Sequence, residues 1–306
     1  MLAALRRWSY RQGWPISVQL PVPVIVVGNV FVGGTGKTPL VIWLVEQLRQ
    51  AGYNPGVISR GYGAQVEAVR LIAAEDSAEQ AGDEPLLIAQ RAACPVAVGR
   101  DRVAAAQCLL AAHPTVSVII SDDGLQHYRM RRAVEIILFD QRGAGNGWLL
   151  PAGPLREPLS RRRDFTVFNG AMVPVDFPPQ TLRMNLVGES ARQLIGPSRT
   201  VRLNALPSPI LAAAGIGNPQ RFFTMLSDAG LRIDTLALPD HFDFLENPFV
   251  DTTAATILIT EKDAVKCLQI DGLKTDPRIW VVPVTARLDG PLCELIVEKL
   301  RGYPTA

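Results

Sequence analysis

The sequence predicts an α/β fold: a parallel sheet flanked by helices, with a second, smaller α/β domain joined to it by a two-stranded linker. Three observations carry this. Short apolar runs alternate with helical patterns through the first half, the rhythm of strand–helix–strand units. The runs are apolar almost throughout, as strands covered on both faces require. The 306 residues correspond to about two domains at roughly 150 each.

Pro23 to Val27 is a β-branched run ending at Gly28, and Leu40 to Gln50 is a helical stretch stopped by Gly52. Strands are expected at Pro55 to Ser59, Pro95 to Val98, Val116 to Ser121 and Val134 to Phe139, with helices at Asp83 to Ala93 and Arg100 to Ala112. From about Phe165 to Val201 the texture changes: Pro174, Pro178 and Pro179 interrupt it, and Thr181 to Gly196 reads as two short strands turning near Gly188. The strand–helix rhythm then resumes. Ile210 to Ala214 leads into Pro219 to Gly230, Ala255 to Ile259 leads into Glu261 to Leu268, and Ile279 to Val284 precedes a last helix ending near Arg301. The expected organisation is residues 1–20 as a basic amphipathic segment, 21–170 as the larger domain, 171–204 as linker and 205–306 as the smaller domain.

Composition narrows the function. Lys+Arg 31 against Asp+Glu 29 leaves a net charge of +2, too balanced for a protein held by nucleic-acid phosphates. Cys94, Cys108, Cys267 and Cys293 form no CxxC pair, which indicates neither a zinc site nor a disulfide framework and suits a reducing cytoplasm. No continuous apolar run reaches the roughly 18 residues of a spanning helix. Met1 to Gln19 instead interleaves Leu2, Leu5, Trp8 and Tyr10 with Arg6, Arg7 and Arg11. That mixture suits the headgroup boundary of an anionic leaflet, or equally a surface helix packed on its own protein.

The chemistry starts at Gly28-Asn29-Val30-Phe31-Val32-Gly33-Gly34-Thr35-Gly36-Lys37-Thr38. It follows a strand and opens a helix, the setting of a phosphate-binding loop. Phe31 occupies the place of the first glycine in the usual spacing, so the shorter Gly33-Gly34-Thr35-Gly36-Lys37-Thr38 form describes it. Clustered glycines let backbone N–H groups turn toward phosphate oxygens, and the helix adds the positive end of its dipole. Lys37 would neutralise the β- and γ-phosphates of ATP, and the Thr38 hydroxyl would ligate Mg2+. The fold is thus expected to be P-loop NTPase-like. Asp122-Asp123-Gly124 closes the next apolar strand, where carboxylates can hold Mg2+ or its waters.

These residues bring a family into view. Gly28-Asn29 with Gly33 to Pro39, Ser59-Arg60-Gly61-Tyr62-Gly63, Gly82-Asp83-Glu84-Pro85, Asp122 to His127, Leu150 to Pro158, Pro239-Asp240-His241 and Thr260 to Lys266 occur in order. The chain resembles the tetraacyldisaccharide 4'-kinases, which phosphorylate the lipid A disaccharide precursor in Gram-negative bacteria. The resemblance implies a two-lobed kinase using ATP and Mg2+, with an acylated disaccharide 1-phosphate bound from the membrane side and no nucleic-acid or obligate protein partner. It implies Asp83 as catalytic base with His241 as its partner. Asp122, Asp123 and Glu157 would serve Mg2+ and the nucleotide, and Arg156 would face the moving phosphate. Members of the family usually begin with a longer hydrophobic segment; either that anchor is missing here or Met1 to Leu20 binds the surface peripherally, and the expected location is the cytoplasmic face of the inner membrane.

Read without the family, Asp83 suits a helix N-cap as well as a base, and Arg156 with Glu157 suits a surface salt bridge. Arg129, Arg131 and Arg132, and the Arg161-Arg162-Arg163 run, read as solvated faces that could meet anionic lipid. Two other functions stand beside the kinase. One is a switch ATPase of the shortened-loop class, although Val32 replaces its usual lysine and Thr260-Glu261-Lys262-Asp263 has the wrong order for a guanine signature. The other is a silent membrane-surface binding module.

Overall fold

The computed structural model describes residues 14, 17–61, 68–73, 75–196 and 199–303. Most of the expected membrane-proximal segment and the Tyr62-Gly63 pair fall outside the described residues. Among those described, no helix is long and apolar enough to cross a membrane.

The larger sheet contains β1 (Val24–Gly28), β2 (Pro55–Ser59), β3 (Arg70–Leu71), β4 (Val96–Val98), β5 (Val118–Asp122), β6 (Val134–Asp140), β7 (Phe165–Asn169), β8 (Leu182–Val187) and β15 (Thr285–Asp289). Its order is β15-β8-β7-β6-β1-β5-β2-β4-β3. Pairing is parallel from β8 through β4, and both edge strands run antiparallel. The helices here are α1 (Lys37–Gln50), α2 (Ala78–Ala81), α3 (Asp83–Ala92) and α4 (Arg102–Ala112). Leu40, Val41, Leu44, Val45 and Leu48 put one stripe of α1 into the core with Ile25, Val27 and Ile120. That packing fixes the direction in which the loop between β1 and α1 opens.

The smaller sheet has β9 (Ser190–Gln193), β10 (Thr200–Arg202), β11 (Ile210–Ala214), β12 (Ile233–Ala237), β13 (Thr256–Thr260) and β14 (Ile279–Val282), in the order β10-β9-β14-β13-β11-β12. Among its helices, α5 (Pro219–Asp228) follows β11 and α6 (Glu261–Cys267) follows β13. A short α7 (Asp271–Lys274) precedes β14.

Two features depart from the sequence reading. The linker strands do not pair with each other: β8 extends the large sheet beside β7, while β9 joins the small sheet beside β14. Residues 285–301, expected in the smaller domain, return to the larger one. There β15 pairs with β8, and the last helix, α8 (Leu292–Arg301), buries Leu292, Ile296 and Leu300 in the same core as α1. The chain therefore crosses between lobes twice. The lobes also meet directly, with Val265 of α6 seated among Ala78, Ala81, Leu86 and Leu87.

Candidate active site

The phosphate-binding loop stands at the carboxyl end of β1, between neighbours β5 and β6, the usual ligand side of a parallel sheet. Asn29, fully buried, braces it from within: its Nδ2 donates to the carbonyls of Phe31 (2.7 Å) and Gly33 (3.0 Å). Gly36 has φ +96°, and a Cβ there would come within 2.4 Å of Asn169 Nδ2, so glycine is required on both counts. The same Asn169 Nδ2 donates to the Thr35 carbonyl at 2.9 Å. Gly36 also starts α1 with no side-chain cap, leaving the helix's first N–H groups for an anion.

Lys37, Arg156, Asp123 and Asn29 form one cluster. Lys37 Nζ lies 3.2 Å from Asn29 Oδ1 and 3.7 Å from Asp123. Arg156 holds Asp123 with both arms of its fork, at 3.0 and 3.2 Å, and also bonds Asn29 Oδ1. Burial would raise the Asp123 carboxyl, but Lys37 and Arg156 outweigh it and hold it below the usual range. Asp123 has φ +47°, an uncommon backbone state for a side-chain-bearing residue.

Asp122 is more deeply placed. Its Oδ2 accepts from Ser59 Oγ at 3.1 Å, while Oδ1 is buried without a hydrogen-bond partner. Burial, then the neighbouring Glu84, push its carboxyl above the ordinary range. A carboxylate oxygen without a donor, on the same cavity wall as Thr38 and Asp123, fits a divalent cation. No group of three His, Cys, Asp or Glu gathers there among the described residues, so such a cation would draw further ligands from phosphate oxygens and water.

Glu157 is the correction in this set. It is 1% exposed, accepts from Gln126 (3.2 Å) and Tyr128 (2.8 Å), and pairs with buried Arg161, which also holds Glu135 at 2.7 Å. Consecutive side chains leave this loop on opposite sides, so Arg156 reaches the cavity while Glu157 anchors the loop from behind. Arg161 is accordingly part of the interior, whereas Arg129 and Arg131 make exposed contacts to Asp101 and Gln19.

Across the cleft, Asp83 and His241 meet. They stand 158 positions apart in sequence, yet Asp83 Oδ2 is 3.0 Å from His241 Nδ1. Gly82, not Asp83, is the N-cap of α3; Asp83 Oδ1 accepts from Glu84 N at 2.8 Å in the first turn, which leaves Oδ2 for His241. Lys266 Nζ approaches Asp83 Oδ2 to 3.3 Å and Lys262 Nζ to 3.8 Å. Burial raises the Asp83 carboxyl, and the His241 hydrogen bond with both ammoniums overcomes it, bringing it down to about 2. Asp83 is 3% exposed; the His241 side chain, 28% exposed, is the member of the pair that lines the cavity. His241 also carries a left-handed backbone, φ +61°.

A single cavity of about 1060 Å³ joins these parts, lined by Gly33 to Thr38, Asp122, Asp123 and Arg156 on one side and by Asp240, His241 and Lys262 on the other. Residues 1–301 match the family described as Tetraacyldisaccharide-1-P 4'-kinase. The chain belongs to that family. A tetraacyldisaccharide 4'-kinase of Janthinobacterium sp. (strain Marseille) is 64% identical over 312 residues, covering 100% of this chain and 90% of the relative. That of Herminiimonas arsenicoxydans is 60% identical over 320 residues with the same coverage. A crystal structure of LpxK from Aquifex aeolicus in complex with ATP superposes with a TM-score of 0.78 at 29% identity, covering 98% of this chain and 95% of that one.

Several site residues escape sequence reasoning. Arg221 of α5 reaches from the smaller lobe to Asp140 at 2.8 Å, beside Arg142, whose guanidinium donates to the Val32 and Gly34 carbonyls. A Cβ on Gly217 would lie 3.0 Å from Gly34 N, so the loop before α5 rests directly on the phosphate loop. Glu84 and Asn29 were visible as motif members, but nothing in their spacing assigns them a task.

Proposed function

We propose that the chain transfers the γ-phosphoryl group of ATP to the 4'-hydroxyl of a tetraacyldisaccharide 1-phosphate in lipid A biosynthesis, with Asp83 and His241 accepting the hydroxyl's proton as a unit. The observation that carries this reading is the Asp83–His241 contact, made across the cleft in the cavity that the glycine loop opens into.

Backbone N–H groups of Gly33 to Gly36 and the Lys37 ammonium bind the triphosphate, and Arg156 offers a planar fork to its terminal oxygens. Without an anion, Lys37 and Arg156 are balanced by Asp123; incoming phosphate competes for them, which lets Asp123 turn toward a cation. Thr38, Asp122 and Asp123 would hold Mg2+, which when bound supplies charge neutralisation between the β- and γ-phosphates.

During transfer, the bond from the γ-phosphorus to the β–γ bridging oxygen breaks and a bond to the sugar 4'-oxygen forms, releasing ADP. The hydroxyl proton passes to the Asp83–His241 pair. A carboxyl held near 2 is a weak proton sink by itself; His241 presents its ring to the cavity and Asp83 stabilises the charge it acquires. A positioned acceptor of this kind is worth ~10²–10⁴-fold.

The acyl chains of the substrate require access from a bilayer, and peripheral attachment at the cytoplasmic face of the inner membrane suits Met1 to Leu20 and the 82% exposed Trp14. The test is radiolabelled ATP with tetraacyldisaccharide 1-phosphate in detergent. Label is expected in lipid; lipid-independent phosphate release supports the switch ATPase, and no turnover supports the binding module.

A further inference from the structure

In the Thr260-Glu261-Lys262-Asp263 segment three residues fasten α6 in place. Thr260 Oγ1 accepts from Asp263 N (3.2 Å) and donates to Asp263 Oδ2 (2.7 Å), and Asp263 Oδ2 accepts from Gly215 N at 3.1 Å. Glu261, 5% exposed, pairs with Arg91 of α3 and accepts from Val284 N at 3.2 Å. Lys262 is held differently. Its ammonium enters the cavity and lies 3.2 Å from Glu84 Oε1, 3.5 Å from His241 Nε2, 3.6 Å from Asp240 Oδ1 and 3.8 Å from Asp83 Oδ2.

We propose that Lys262 is a positioning residue for phosphoryl transfer, whose ammonium holds the Asp83–His241 pair in its unprotonated, proton-accepting form. The inference rests on the reading of that pair as the proton acceptor. An ammonium has donors only, so its contact with Nε2 requires a lone pair there. The ring hydrogen is then on Nδ1, where Asp83 Oδ2 accepts it. Protonating Nε2 would set two cations 3.5 Å apart. Among the described residues, the charged groups facing the pair include Glu84 from α3, Asp240 from the loop before His241, and Lys262 and Lys266 from α6. The two carboxylates favour a proton on the pair, and the two ammoniums oppose it. Lys266 donates to the Phe242 carbonyl at 2.9 Å and steadies Asp83 from the interior, whereas Lys262 reaches the ring edge. When a sugar hydroxyl approaches Nε2, Lys262 keeps Glu84 and Asp240 as partners, so giving up the ring leaves its charge compensated.

The experiment is the pH profile of kcat/KM for the lipid acceptor at saturating ATP. Lys262→Met removes a nearby positive charge, so the pair binds its proton more readily and the acid limb moves up by about one pH unit. Near that limb the rate falls by about tenfold, while Lys262→Arg keeps the wild-type limb. If Lys262→Met does not fold, Lys262→Gln carries the same expectation. A limb that stays in place in the neutral variants, however far the rate drops, overturns the role of Lys262. Wild type and His241→Gln separate this from failure of the underlying reading. A limb that survives in His241→Gln belongs to another group and overturns the pair itself. A limb lost there but unmoved by Lys262→Met overturns only the inference about the lysine.

Discussion

The two walls of the cavity are built on different principles. The Lys37–Asp123–Arg156–Asn29 cluster lies within one lobe, on loops at the carboxyl ends of β1 and β5 and the segment after β6. The Asp83–His241–Lys262–Lys266 cluster exists only where two lobes meet. The charged cluster of one wall is complete within a single lobe. The other joins Asp83 to His241 only across the lobe boundary, so on the proposed reading its proton acceptor needs residues of both lobes.

The contrast can be broken by two substitutions. Asp83→Asn should slow transfer to lipid by about 10³-fold with ATP binding retained. Lys37→Ala should cost about 10²-fold and weaken ATP binding as well, since it removes a charge that meets the phosphates. Equilibrium binding of a fluorescent ATP analogue beside the labelled-lipid assay distinguishes them; weakened nucleotide binding in Asp83→Asn would erase the division between the walls.

A third substitution sharpens the picture of the first wall. Glu157→Gln leaves buried Arg161 with a weaker partner and should destabilise the fold by about 3 kcal/mol in chemical unfolding. The Mg2+ concentration needed for half-maximal activity should not change, because Glu157 faces the interior. A large rise in that concentration would return Glu157 to the metal site.

The second wall has a pH signature of its own. The Asp83 carboxyl is lowered from 3.8 to about 2 on folding, so its contribution is present above its unfolded value and lost as pH falls from about 4 through 2. The size is about 2 kcal/mol. Comparing unfolding midpoints of wild type and Asp83→Asn should show a gap at pH 6 that closes toward pH 2.

The phosphate loop and its strand were legible because they are local: six consecutive glycine, threonine and lysine positions, Gly33 to Thr38, follow a β-branched run and open a helix. Strand β7 was not, since Phe165 to Asn169 sits among arginines and prolines and owes its place to neighbours β6 and β8. Strand β15 is half-exposed and alternates, so nothing in it tells which sheet it joins. Asp83 and His241 were brought together by resemblance, not spacing, and Lys262 and Arg221 are long-range partners whose roles depend on tertiary contact. Glu157 was given to Mg2+ by the resemblance, while in the structure it turns inward to Tyr128 and Arg161.

The most direct measurement is a double-mutant cycle on lipid phosphorylation with Asp83→Asn, His241→Gln and the pair combined. If the two residues act as one acceptor, the double variant should be no slower than the slower single variant. Losses that multiply would mean that the residues work independently and that the contact across the cleft is not what moves the proton.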